Sequence, residues 1–115
     1  MLKQLLKNKP TDVDLADATH GFTPLILAAR YGQRQAAQIL IEHKATVDKA
    51  DNDGATALHH ACRNGHSETA ALLLDNGAQI DKRNARDQTP LMLAVNRKSK
   101  CVKLLLERKA DATAA

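Results

Sequence analysis

The sequence predicts an all-α solenoid of stacked helix-turn-helix units joined by β-hairpin-like loops. Three observations predict it. Thr23, Thr56 and Thr89 stand 33 residues apart, and their surroundings repeat with them. Apolar residues make up 43% of the 115-residue chain but aromatics only 2%, so burial rests on Ala, Leu, Ile and Val. Small side chains of this kind fit thin layers of closely packed helices better than one deep centre. Each unit, finally, carries two short apolar runs at helical spacing, separated by a polar or glycine-containing turn.

The elements follow in order. Residues 1–14 read as the second half of a unit, because Leu5, Leu6, Val13 and Asp14 align with Ile39, Leu40, Val47 and Asp48 at an offset of 34. The chain is therefore read as a single domain over 1–115, with a partial repeat over 1–17 and full repeats over 18–50, 51–83 and 84–115. Leu2, Leu5 and Leu6 among lysines imitate a targeting helix, but their alignment to the repeat explains them better. The missing first helix predicts either a degenerate cap or a fragment of a longer protein.

The full units read GFTPLILAARYG from Gly21, GATALHHACRNG from Gly54 and DQTPLMLAVNRK from Asp87. A threonine ahead of an apolar run caps a helix by accepting from an otherwise unpaired amide, and Pro24 or Pro90 then takes the first helical position, where no amide is needed. Leu25, Ala28 and Ala29 recur as Leu58, Ala61 and Cys62 and as Leu91, Ala94 and Val95, a small-residue face for close helix approach. Gly32 and Gly65 stand where a left-handed residue ends that helix. The second helix carries Ile39, Leu40 and Ile41, then Leu72, Leu73 and Leu74, then Leu104, Leu105 and Leu106, and is expected to bury its inner side. It ends near Gly77, with Lys44 and Lys109 in the corresponding places. The links TVDKADND and QIDKRNAR are rich in Asp, Asn and small residues, as tight turns require.

A 33-residue period with a TPLHxA-like core resembles the ankyrin-repeat family along nearly the whole chain. Departures mark the expected weak points. Asp87 replaces the turn glycine, Ala57 replaces the proline, and only His59 keeps the motif histidine, where Ile26 and Met92 stand in the other units. The last unit lacks one residue between its helices and has no glycine in the turn NRKSK, so it is expected to fray first.

The resemblance implies a partner protein held along the hairpin tips and the exposed side of the first helices. The matching positions are Thr19, His20, Phe22, Arg30 and Tyr31, then Asn52, Asp53, Ala55, Arg63 and Asn64, then Ala85, Arg86, Gln88, Asn96 and Arg97. Both aromatics of the chain fall in this set, and arginines recur at 30, 63 and 97. Aromatic and arginine side chains are the usual interface anchors, and an arginine row suits acidic or phosphorylated partners. The alternative reading is a stoichiometric inhibitor or assembly chaperone, resembling the ankyrin-type inhibitors of cyclin-dependent kinases and the ankyrin subunit-assembly factors.

Catalysis, metals and cofactors are not expected. His59, His60, Cys62, His66 and Glu68 form the densest cluster, but adjacent helical residues point in different directions and Cys62 fills the buried slot of Ala29. Cys101 lies in the apolar stripe of the last second helix and reads as core. The net charge of +4 is spread as +2 over residues 1–50, −3 over 51–80 and +5 over 81–115. The basic end offers Lys82, Arg83, Arg86, Arg97, Lys98, Lys100 and Lys103 to nucleic acid, but without aromatic residues to stack bases this ranks lowest. No apolar stretch is long enough to span a bilayer. Two cysteines make no disulfide framework, so the cytosol or nucleus is the expected compartment, with a monomer as the expected state.

Overall fold

Residues 13–97 and 99–110 are described by the computed structural model, so the helical stripe of Leu5 and Leu6, and Lys98 of the basic set, lie outside the described residues. Six helices follow the predicted rhythm: α1 Pro24–Arg30, α2 Arg34–Glu42, α3 Ala57–Arg63, α4 Ser67–Asp75, α5 Pro90–Asn96 and α6 Cys101–Glu107. No strand forms among the described residues. The loops are hairpin-like instead, each closed by a bond from the amide of its first corner: Asp17 N–H to the Phe22 carbonyl at 3.0 Å, Asp51 to Ala55 at 2.9 Å and Asn84 to Gln88 at 3.0 Å. A second bond runs back to that corner's carbonyl from the amides of Gly21, Gly54 and Asp87.

Every first helix starts at its threonine. Thr23 and Thr89 lie in extended backbone, and their hydroxyl oxygens accept from the amides of Ile26 at 3.1 Å and Met92 at 3.2 Å. In the middle unit His59 shares this work. The Thr56 amide donates to its Nδ1 at 3.0 Å, which leaves Nε2 protonated to donate to the Gln88 carbonyl at 2.9 Å. The motif histidine therefore joins the cap of its own helix to the hairpin of the next unit.

The second helices begin through the backbone. Gln33, His66 and Ser99 donate their amides to the carbonyls of Ala28, Ala61 and Ala94 at 2.8, 2.9 and 2.8 Å. The residue missing from the last unit shortens its second helix: α6 has 7 residues where α2 and α4 have 9. All three end alike, in a left-handed residue whose successor donates back into the last turn. Ala45, Ala78 and Ala110 bond the carbonyls of Leu40, Leu73 and Leu105 at 3.0, 3.0 and 2.9 Å. The left-handed residue is Gly77 in the middle unit but Lys44 (φ 73°) and Lys109 (φ 71°) in the others. A lysine strains its Cβ there, so Lys44→Gly should raise the unfolding free energy by about 0.5–1 kcal/mol, the strain relief being partly offset by glycine's freedom in the unfolded chain. A urea melt with an unshifted or lower midpoint would show that the lysine is not strained.

Packing sets α1, α3 and α5 in one row and α2, α4 and α6 in a second behind it. Leu25 and Leu58 of the first row and Leu40, Leu73 and Leu105 of the second are buried to 1% exposure or less. Of each expected aliphatic trio, the middle residue alone is fully enclosed; Leu106 is 48% exposed. The small-residue face is also incomplete. Ala29 and Cys62 are fully buried, whereas Val95 is 54% exposed, because no described unit stacks on the far side of α5. Asp87 adopts the left-handed conformation expected of it, φ 61°, and accepts an exposed bond from Arg83 at 2.9 Å.

Candidate functional site

Each hairpin tip is organised by one acceptor at its first corner. Asp17 Oδ1 accepts the amides of His20 and Gly21 at 2.7 and 2.8 Å. Asn84 Oδ1 takes those of Arg86 and Gln88, both at 2.9 Å. Asp51 Oδ1 takes those of Asp53 and Ala55 at 2.8 and 3.0 Å. The His20 amide, followed by those of Gly21 and Phe22, holds the Asp17 carboxyl below its ordinary value of 3.8. Tips are also tied to one another: the Asn52 amide donates to the His20 carbonyl at 2.9 Å and Ala85 to Asp53 at 2.8 Å. Gly54 permits the second tie, since a Cβ there would sit 2.9 Å from the Ala85 nitrogen. The tips thus form a ladder with fixed spacing.

Along this ladder the structure presents most, but not all, of the expected partner-binding residues. Thr19, His20, Tyr31, Asn52, Asp53, Arg63, Asn64, Ala85, Arg86, Asn96 and Arg97 are exposed. Phe22, Arg30 and Gln88 are half-buried. Ala55 is a correction: it is only 7% exposed, because its amide and carbonyl both bond Asp51 and draw it under the tip. Gln88 is partly committed too, its side-chain oxygen accepting from Asn84 at 3.1 Å. Asn64 spends its amide nitrogen on the Arg30 carbonyl at 3.0 Å.

The first unit concentrates the aromatic and cationic groups. His20 stacks on Phe22 with centroids 4.8 Å apart, and His60 meets the same ring edge-on at 5.4 Å. The Arg30 guanidinium lies 5.1 Å from the Phe22 centroid and 5.8 Å from that of Tyr31. Ring quadrupoles favour such stacked, edge-on and cation-facing geometries. Tyr31, 63% exposed, caps the cluster toward solvent. Asp51 and His60 belong here although the sequence reading missed them. Asp51 is 8% exposed and its second oxygen pairs with His60 Nε2 at 2.8 Å. The signal was present: Leu27 and its counterpart His60 lie three and four residues before Arg30 and Tyr31 or Arg63 and Asn64, hence on one helical face.

The histidine and cysteine cluster disperses. His59 bonds Gln88, His60 bonds Asp51, and His66 Nε2 donates to the Arg30 carbonyl at 3.1 Å, reaching back to the preceding unit. Cys62 and Cys101 are both free thiols at 0% exposure. The neighbouring Cys101 sulfur and then burial push the Cys62 thiol up, away from reactivity. Among the described residues no group of three His, Cys, Asp or Glu is placed to hold a metal ion, and no helix is long and apolar enough to cross a membrane.

Two stretches of the chain, residues 1–84 and 47–115, match the family model described as ankyrin repeats (3 copies). The chain belongs to the ankyrin-repeat family. It is 41% identical over 90 residues to neurogenic locus notch homolog protein 1 of Homo sapiens, which covers 78% of this chain and 4% of that protein. The Xenopus tropicalis protein of the same name is 39% identical over 90 residues. B-cell lymphoma 3 protein homolog of Mus musculus is 33% identical over 94 residues, 82% of this chain and 21% of that one. The chain therefore spans a small part of these relatives' length. Ankyrin repeats are, in general, protein-interaction units.

Proposed function

We propose that this chain binds a partner protein along the ladder of hairpin tips and exposed first-helix faces, with the Phe22, Arg30 and Tyr31 cluster as its anchor. The observation that carries the reading is that cluster: an arginine held between two rings, one packed and one open to solvent. Side chains restrained in this way lose little freedom on binding, which favours them as energetic centres of an interface. Arg63 and Arg97 continue the basic character along the ladder, so an acidic or phosphorylated partner is favoured. The chain acts as a monomeric adaptor in the cytosol or nucleus, the compartments expected for a sequence whose two cysteines make no disulfide framework.

The test compares the intact chain with a Tyr31→Ala, Arg63→Glu double variant in capture from native lysate. Both residues are exposed, so the circular dichroism melt should stay within about 0.5 kcal/mol of the parent. Partner capture should fall by about 2–4 kcal/mol, a loss large enough to empty the pull-down. Capture that survives both changes would move the binding surface elsewhere. When the captured partner is an enzyme, titration with equimolar chain reads whether the same contact inhibits it.

A further inference from the structure

A notch of about 580 Å³ opens between the inter-helix turns of the second and third units, at the end of the first helices opposite the hairpin tips. Arg63, the last residue of α3, and Arg97, which follows α5, line it together with Lys100, Ser99 and Gly65. All three cationic side chains are exposed. None of them is in an ion pair with a described carboxylate, whereas Arg83 and Arg108, away from the notch, pair with Asp87 and Asp75 at 2.9 and 2.8 Å. No carboxylate lines the notch itself; Glu68 lines an adjoining recess of about 210 Å³ that shares Lys100, and Glu107 lines another that shares Ser99 and Lys100. His66 forms a wall and is not a free ligand, since its Nε2 is held by the Arg30 carbonyl at 3.1 Å and its ring fills the space beside Gly32.

We propose that this notch receives a phosphorylated side chain carried by the partner protein, a proposal that rests on the partner-binding reading above. Three unpaired cations exceed what one carboxylate can neutralise. A phosphomonoester brings close to two negative charges and three acceptor oxygens at neutral pH, enough for both guanidinium forks and the ammonium. Guanidinium groups match phosphate oxygens in pairs, which a lysine-only patch does not. The position is consistent with this use: Arg63 and Arg97 border both the notch and the ladder, so a segment lying along the first helices passes its rim.

The experiment is an NMR titration of the ¹⁵N-labelled full chain with inorganic phosphate and with a neutral phosphoserine peptide. The same peptide unphosphorylated, the peptide with glutamate in place of phosphoserine, and a single-stranded oligodeoxynucleotide run beside them. The phosphopeptide should shift the Gly65 and Ser99 amides and the Arg63 and Arg97 side-chain signals, and bind about tenfold or more tightly than the glutamate peptide. Arg97→Gln with Lys100→Gln should weaken that binding about tenfold or more while leaving the melt unchanged. Scattered shifts, equal response to the glutamate peptide, tighter binding of the oligonucleotide at these amides, or indifference to the double variant would each overturn the proposal. So would partner capture unaffected by phosphatase treatment of the lysate. Tyr31→Ala separates the two readings: it should reduce partner capture and leave phosphopeptide binding intact. Capture that resists Tyr31→Ala beside a notch that still binds phosphopeptide would count against the ladder alone.

Discussion

Leu73→Ala is expected to lower the unfolding free energy by about 2–5 kcal/mol, the cost of a large-to-small change at a fully enclosed site. Leu73 is 0% exposed and sits on α4, the central helix of the second row, which packs on α3 and on both α2 and α6. With a neighbour on each side the site cannot collapse to fill the void, and nearest-neighbour contacts are what hold a repeat array together. A domain of this size has a total stability of about 5–15 kcal/mol, so the loss should be plain in a urea melt. Leu106→Ala is the control. At 48% exposure that side chain removes much less apolar area from water, and its replacement should cost about 1 kcal/mol or less. Similar midpoints for the two variants would mean that the helical register is wrong.

His59→Leu should cost about 2–4 kcal/mol and also remove part of the protein's acid sensitivity. The ring of His59 is 1% exposed, and its loss leaves the Thr56 amide without its partner and takes from the Gln88 carbonyl one of its two donors, the Asn84 amide at 3.0 Å being the other. A leucine fills comparable space, so the deficit reports the lost bonds more than a cavity. Burial lowers the imidazole from its ordinary 6.5, outweighing the opposing effect of the Gln88 carbonyl. The neutral ring is therefore the native form. Above pH 6.5 the folded and unfolded chains carry the same charge at this site, and its stabilisation is complete. As pH falls below that value the unfolded chain takes up the proton first, so stability declines until the native ring also titrates. Thermal melts of the parent should therefore drop between pH 7 and pH 5, and those of His59→Leu should drop less. Parallel pH profiles would assign the acid limb to other groups.

Much of the fold was legible because its rules are local. Thr23 and Thr89 accept from amides three residues on, Pro24 and Pro90 need no amide where they stand, and Asp87 tolerates the turn conformation. Each of these depends on a few consecutive residues, and the repeat prints the same rule again. The partner surface was legible only in outline, as positions on a face. Ala55 was placed on it by alignment with Phe22 and Gln88, yet the bonds to Asp51 take it inside. The position of His60 on the first-helix face was legible, but its pairing with Asp51 was not, because a carboxylate in a turn and a histidine nine residues later announce no contact in sequence.

By itself the sequence determined the 33-residue period, the helix starts and the family, since these follow from bonds spanning three to five residues along the backbone. Only the tertiary structure decided what each equivalent position does. His66 reaches back 36 residues to Arg30, Thr46 bonds Asp14 across 32, and Val95 is bare where Cys62 is enclosed. Those outcomes depend on which unit lies alongside. Equivalent residues share a backbone conformation but not the same neighbours, and exposure, pairing and charge state are properties of neighbours.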